Sequence, residues 1–264
     1  MLSFFKNIWN YRYYIVSSIK TDYKTRYARS RLGLLWAVLQ PLAMVLVYAF
    51  ILSNILTAKL PGVVTQYAYP IYILSGIVAW TLFSEIVNRI LTVFIDNASL
   101  IKKMSFPKIA LPIVVTGSSL VNYVLFLVLA FSVFFILGHH AYRYLYWLPA
   151  LTTILLLFSI GFGLLFGLLN VFIRDVGQIV TILLQFWFWF TPIVYMISII
   201  PHQYQYVIYL NPLTGIIQGY QDVLLYDRSP NLSMLLYPSI LSVLLFSLAI
   251  YVYKKASKEM ADVL

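Results

Sequence analysis

Long, almost uncharged apolar runs govern what this chain can fold into. Crossing the hydrocarbon core of a bilayer takes about twenty mostly apolar residues per helix. Six stretches reach that length: 34–57, 70–92, 109–137, 147–172, 177–199 and 232–253. Within lipid every backbone N–H and C=O must find its partner inside the protein, so runs of this length are helices. Composition agrees: 62% of the 264 residues are hydrophobic and 10% charged, against roughly 45–50% and about 25% in ordinary soluble domains. The expected fold is all-α and polytopic, a single transmembrane domain over 1–264 with six transmembrane helices. No polar stretch is long enough to fold alone, so the net charge of +10 points to phospholipid surfaces and not to nucleic acid. Cysteine is absent, which excludes disulfides, thiol nucleophiles and thiolate metal sites. The first run continues past twenty residues and reads as an anchor, not a cleaved signal.

Lys and Arg set the orientation. With the N-terminus in the cytoplasm, fourteen fall inside: Lys6, Arg12, Lys20, Lys24, Arg26, Arg29, Arg31, Lys102, Lys103, Lys108, Arg174, Lys254, Lys255 and Lys258. Lys59, Arg143 and Arg228 fall outside, and Arg89 lies within the second span. Both termini are therefore expected in the cytoplasm of a multi-pass membrane protein. Residues 1–33 carry a cation every few positions and do not span. On a helical wheel Phe4, Phe5, Ile8, Ile15, Val16, Ile19 and Tyr23 share one arc, the pattern of a helix lying in the cytoplasmic interface. Such a helix either anchors the chain or docks a cytosolic partner.

Charges inside spans are costly and need partners. Glu85 and Arg89 stand four residues apart on one helical face and are expected to form a buried ion pair. A single embedded carboxylate argues against proton-driven transport. Asp175, in the short turn between the fourth and fifth runs, is placed to cap the next helix. No G-x-x-x-x-G-K-[ST] occurs, so this chain has no P-loop for ATP. His139 and His140 are adjacent and His202 is alone. Neither arrangement supplies a metal set or a general base with its orienting partners, so no metal site is expected.

The stretch 200–231 is amphipathic, aromatic and punctuated by Pro and Gly. Asn211-Pro212 fits a helix start over NPLTGIIQGYQDVLL, and PHQYQYVIYL reads as a second short helix before it. Two short helices between two spans suggest a hairpin that dips into the outer half of the membrane. Irregular backbone at that depth survives only against protein or a water-filled cavity.

Five motifs in this order resemble the transmembrane subunit, or permease, of ABC-type polysaccharide exporters, the O-antigen, capsule and teichoic acid export family. They are RYARSRLGLLWAVLQPL (26–42), IKKMSFPK (101–108), FIRDVGQI (172–179), FWFTPIVY (188–195) and NPLTGIIQGYQD (211–222). The resemblance covers essentially the whole chain. It implies a half-transporter and not an enzyme: two copies form the conduit, and two copies of a separate ATPase subunit bind the ATP and Mg that drive it. No cofactor is expected in this chain. The substrate it implies is an undecaprenyl-linked polysaccharide, most readily O antigen, moved from cytoplasm to periplasm across the bacterial inner membrane. It assigns ATPase coupling to the loop 93–108, with Asp96, Leu100, Ile101, Lys102, Lys103 and Phe106 the residues concerned and a short helix ending before Pro107. It assigns a periplasmic gate to the hairpin 200–231, with Asn211, Pro212, Gly215, Gly219 and Tyr220. Arg26, Arg29 and Arg31 are candidates for the lipid pyrophosphate by charge pairing, although positive-inside topology also accounts for them.

Residues 186–190 read FWFWF. Five consecutive residues sweep more than a turn, so they cannot form one platform. Phe186 and Phe190 group with Ile179, Ile182, Leu183 and Ile193 on an apolar face. Phe188, Thr191 and Tyr195 group with Thr181, bordered by Gln178 and Gln185. A strip mixing rings with hydroxyls and amides suits sugars, and packing within a bundle is the plain alternative. Pro192 is expected to bend this helix. Competing functions are a drug or small-lipid exporter of the same superfamily, a membrane enzyme acting on lipid-linked sugars, and a proton-coupled carrier.

Overall fold

The computed structural model describes residues 11–28, 33, 35, 36, 39, 42, 43, 68–103, 107–257 and 259–264. The expected first span, 34–57, lies almost wholly outside the described residues, as do Phe4, Phe5 and Ile8 of the interfacial arc. The described helices are α1 (Arg12–Ala28), α2 (Ala68–Asp96), α3 (Ala98–Lys103), α4 (Ala110–Ile136), α5 (Leu148–Phe172), α6 (Asp175–Trp189), α7 (His202–Leu210), α8 (Pro212–Leu224), α9 (Leu232–Ala256) and α10 (Met260–Val263). Among the described residues there is no strand. Among them, four segments are long and apolar enough to cross a bilayer: Ala68–Asp96, Ala110–Ile136, Leu145–Phe172 and Leu232–Ala256.

Helix α2 is the hub. Ile73, Val78, Phe83, Ile86, Val87 and Ile90 are each wholly buried, enclosed by α4, α5 and α8, while Asn88, Thr92 and Asp96 mark one open strip toward its C-terminal end. A broad apolar face of this kind must be enclosed by protein or face lipid. Helix α5 is close-packed between α2 and α9. A Cβ on Gly167 would lie 2.6 Å from the Ile90 carbonyl oxygen, and one on Gly161 would lie 2.8 Å from the Phe246 nitrogen. Gly163 and Gly167 form a small-x-x-x-small pair toward α2, the arrangement that lets helix backbones approach where lipid removes the hydrophobic drive.

Helix α8 packs on α9 through a related device. Pro238 inside α9 has no N–H to give the carbonyl of Met234. Gly215 of α8 sits against that oxygen, where a Cβ would come within 2.4 Å. The α1 helix rests on α4 through Ile15, which is buried, and Ile19, whose Cδ1 would lie 2.4 Å from a Cβ on Gly117. Val16 is 52% exposed, so only one stripe of the expected apolar arc packs on this chain.

The structure corrects three boundaries. The second helix continues to Asp96 and the short helix of the 93–108 loop is α3, ending before Pro107 as expected; Phe106 lies outside the described residues. Asp175 does not cap α6: Arg174 holds the cap position and no side chain bonds there. Asn170 serves instead, its Oδ1 accepting from Gly177 N at 2.8 Å while its Nδ2 donates to Leu91 O at 2.8 Å. The fifth run, 177–199, is not one helix. Helix α6 has 15 residues, about 22 Å at 1.5 Å per residue, which falls short of a hydrocarbon core of about 30 Å. Pro192 disfavours helical backbone at Thr191 and lacks an N–H, so the helix stops where a bend was expected. A turn and a 3₁₀ segment, Ile197–Ile199, follow.

Leu at Gly161 or at Gly167 should destabilise the fold by about 1–3 kcal/mol through overpacking, seen as a lower unfolding temperature of purified protein by size exclusion after heating. Ala at exposed Asn88 should leave that temperature unchanged.

Candidate functional site

Among the described residues, two clusters of polar groups join several elements of this apolar bundle. The first surrounds Arg89, near the end of the bundle that carries Lys102, Lys103, Arg174, Lys254 and Lys255. The expected Glu85–Arg89 pair is present, with Arg89 Nη1 3.7 Å from Glu85 Oε1. The shorter contact reaches another element: Arg89 Nη2 donates to Asp22 Oδ2 of α1 at 2.6 Å. Arg89 Nη1 also donates to Ser118 Oγ at 2.5 Å. Glu85 Oε1 accepts from Ser119 Oγ at 3.1 Å and from Asn122 Nδ2 at 2.9 Å. The cluster therefore ties α1, α2 and α4 together, and it opens on a groove of about 530 Å³ that runs past Asp96 and Leu100. Sequence reasoning missed Asp22, although it is the sole acidic residue in 1–33 and that isolation was a usable signal.

The second cluster gathers where α6 ends. Breaking a helix among apolar neighbours frees carbonyls that must be satisfied by protein. Thr191 Oγ1 donates to Trp187 O at 2.7 Å. Tyr72 Oη donates to Pro192 O at 3.1 Å and Tyr195 O at 2.9 Å, and Tyr69 Oη to Val194 O at 2.6 Å. Gln221 Nε2 of α8 donates to Pro192 O at 3.0 Å. Asn211 joins the break to the hairpin. Its Oδ1 accepts from Leu213 N at 3.0 Å, the expected helix cap, and from Trp187 Nε1 at 2.9 Å. Its Nδ2 donates to Thr191 Oγ1 at 2.9 Å and to Phe190 O at 3.3 Å. Tyr69, Tyr72, Trp187 and Gln221 were not singled out from sequence as partners of the break.

The mixed strip is divided by this arrangement. Val180, Leu184 and Phe188 form the buried stripe of α6, and Thr191 is wholly buried. Phe188 packs edge-on to Trp80, with centroids 5.4 Å apart. Gln178, Thr181 and Gln185 are exposed on this chain and Tyr195 is half-buried. Physically, residues 180, 184 and 188 repeat at i+4 toward α2 and α5, and Phe188 falls at the edge of that stripe. Of the apolar face, Ile179, Ile182, Leu183, Phe186 and Phe190 are exposed, Phe186 at 61%, whereas Ile193, past the break, is wholly buried. Trp187 points inward and meets Phe83, Phe158 and Phe162.

The other candidates are spread over the fold. Of the hairpin residues, Gly215, Gly219 and Tyr220 are buried, and Asn211 and Pro212 are half-buried at the head of α8. Tyr220 Oη meets Tyr123 Oη at 2.9 Å and Thr152 Oγ1 at 2.8 Å, so α8 is a core element and the exposed limb of the hairpin is α7. In the 93–108 stretch Ile101 is buried, Leu100 half-buried, and Asp96, Lys102 and Lys103 exposed. Asp96 Oδ2 accepts from Thr92 Oγ1 at 2.7 Å. Arg29, Arg31 and the side chain of Arg26 lie outside the described residues.

A bundle of apolar helices that carries its polar groups as inter-helix ties defines a multi-pass membrane protein. Residues 13–225 match the ABC-2 type transporter family, and the chain belongs to it. The chain is 27% identical over 264 residues to the O-antigen export system permease protein RfbA of Myxococcus xanthus, covering 99% of both chains. It is 28% identical over 203 residues, 76% of both chains, to the protein of that name from Klebsiella pneumoniae. To the polysialic acid transport protein KpsM of Escherichia coli it is 25% identical over 199 residues, 75% of both. It is thus the permease component of an ABC-2 type exporter, and such permeases work with an ATPase partner.

Replacing Asn211 by Ala should cost about 2–4 kcal/mol, from the lost cap and the donors left unmet, read as a fall in unfolding temperature. Asn211→Asp, which keeps the acceptor, should cost less. A double-mutant cycle of Asp22→Ala with Arg89→Ala should give a coupling of about 1.5–3 kcal/mol, larger than that of Glu85→Ala with Arg89→Ala.

Proposed function

We propose that this chain is half of an ATP-driven exporter that moves lipid-linked polysaccharide, O antigen in particular, out of the cytoplasm through a conduit between two copies of itself. The supporting observation is the end-to-end alignment with an O-antigen export permease, in a sequence that has no P-loop of its own. On this reading the protein sits in the bacterial inner membrane with both termini cytoplasmic. Residues 34–57 supply the first of six crossings, and α6 with the break after it supplies the fifth. The hairpin α7–α8 then enters the outer half of the membrane, with α8 its fixed limb and α7 the part that moves as a gate.

The division of α6 into two faces supports a conduit lined on each copy by Gln178, Thr181 and Gln185, which offer hydrogen bonds to sugar hydroxyls. Phe188 and Thr191 hold the break in shape behind that lining, with Tyr195 at its edge. At the opposite end the cationic surface around α3 receives the ATPase subunits, which bind ATP and Mg. Exposed Asp96, Lys102 and Lys103 are the contact groups, and Ile101, with Leu100, fixes α3 to the bundle. Lys108 Nζ, 2.6 Å from Ser257 O, ties the same region to the C-terminal end of α9. Motion of the ATPases thereby reaches both α2 and α9. Arg26, Arg29 and Arg31 are assigned to the pyrophosphate of the incoming lipid.

Removing the chain should abolish surface polysaccharide and leave lipid-linked glycan inside the cell. Normal surface display in the deletion strain overturns the export reading. At equal expression, Gln185→Leu should lower export with little change in unfolding temperature, whereas Phe188→Ala should lower that temperature by the equivalent of about 3–5 kcal/mol. Lys102→Glu with Lys103→Glu should reduce the ATPase recovered on affinity purification of the tagged permease, and full recovery counts against docking at α3.

A further inference from the structure

A cavity of about 480 Å³ lies between α7, α8 and the first turns of α2, apart from the polar edge of α6. We propose that it binds an uncharged saccharide segment; the identification of the ligand as saccharide rests on the export function proposed above. Its volume falls within the range of small-molecule sites, about 300–1,000 Å³. The walls combine the rings of Tyr72, Tyr209 and Tyr226 with the amides of Gln205, Gln218 and Gln221. Aromatic faces take the C–H surface of a sugar ring, and side-chain amides take its hydroxyls.

The hydrogen bonds already made indicate what the occupant must bring. Gln221 Nε2 is committed to Pro192 O at 3.0 Å, and Gln205 Nε2 to Ile200 O at 2.9 Å. Tyr72 Oη donates to the carbonyls of the break. The Gln205 and Gln221 amide nitrogens and the Tyr72 hydroxyl are thus engaged by backbone carbonyls. Gln218 Oε1 is buried with no hydrogen-bond partner among the described residues. A buried acceptor left unmet is costly, and Gln218 lines the cavity, so a shift of its side chain on binding would bring that oxygen to a ligand hydroxyl. Carboxylates and phosphates bring acceptors only.

The charges at the site point the same way. Asp222 is held by Arg228, Nη2 at 2.6 Å and Nε at 2.7 Å from the same Oδ1, and the guanidinium lies over the Tyr226 ring at 4.7 Å. The two charges cancel, and the arginine is already committed to its carboxylate. The wall therefore attracts neither a polyanion nor a cation. Tyr209 and His202 are exposed at the rim, so the cavity is reached from the surface, and it lies beside the limb of the hairpin assigned to gating. A segment held there would be gripped between movements of α7.

The test uses full-length permease with its ATPase in lipid nanodiscs. Saturation-transfer NMR is recorded with neutral glucose, mannose and galactose tetrasaccharides and, separately, with a sialic acid tetramer. Transfer to the neutral set and not to the sialic acid tetramer is expected. Gln218→Leu and the surface variant Tyr209→Ala should each weaken it about tenfold, the equivalent of one lost hydrogen bond or stacking contact in a closed site. Tyr209 is exposed, so its variant remains informative if Gln218→Leu does not fold. No transfer to any neutral saccharide, equal transfer to the anionic one, or transfer unchanged by both variants overturns the assignment. If deletion of the chain abolishes surface glycan and any of those results is found, the cavity assignment falls and the export function stands. Normal glycan display in the deletion strain removes the export function itself.

Discussion

The rest of the structure depends on how this bundle satisfies the backbone of a helix that stops among apolar neighbours. Where α6 ends, the carbonyls of Trp187, Phe190, Pro192, Val194 and Tyr195 accept from Thr191, Asn211, Gln221, Tyr69 and Tyr72. These donors come from α2, α8 and the hairpin junction, so the break can exist only once those elements are in place. Water is not available to do the same work in hydrocarbon. The break in turn redirects the chain, which is what allows α7 and α8 to fold back against α2 and to form the cavity beside it.

The glycines and prolines of the bundle follow from the same economy of space. Gly161, Gly163 and Gly167 allow α5 to lie against both α2 and α9, and Gly215 meets the carbonyl that Pro238 leaves without a donor. At the other end Arg89 holds α1 to the bundle through Asp22. A charge in a span is costly alone and becomes a tie when its partners come from different helices. The cluster thus connects α1 to the hub helix, and that hub also carries the tyrosines of the break. One helix, α2, thus takes part in both polar clusters.

Much of this was legible residue by residue. The apolar runs gave the helices, Asn211-Pro212 gave the start of α8, and the spacing of Glu85 and Arg89 gave their pairing. The run 177–199 reads as one continuous helix in sequence because hydropathy does not register that Pro192 ends a helix once neighbouring side chains can take up its carbonyls. The strip through Phe188 was drawn on a wheel that assigns faces but not their destinations. Its polar half is exposed on this chain, while Phe188 and Thr191 are interior because α2 and α5 stand against that side.

The sequence by itself therefore determined that this is a helical membrane protein, which segments are apolar enough to cross, and that it holds no nucleotide-binding loop, since these follow from local composition and pattern. The tertiary structure alone decided that Arg89 answers first to Asp22, that Asn170 replaces Asp175 at the head of α6, and that α8 is core. Each depends on which groups from distant segments come within hydrogen-bond reach of a polar atom that lipid cannot serve. That is a property of the packed bundle, and no window of sequence contains it.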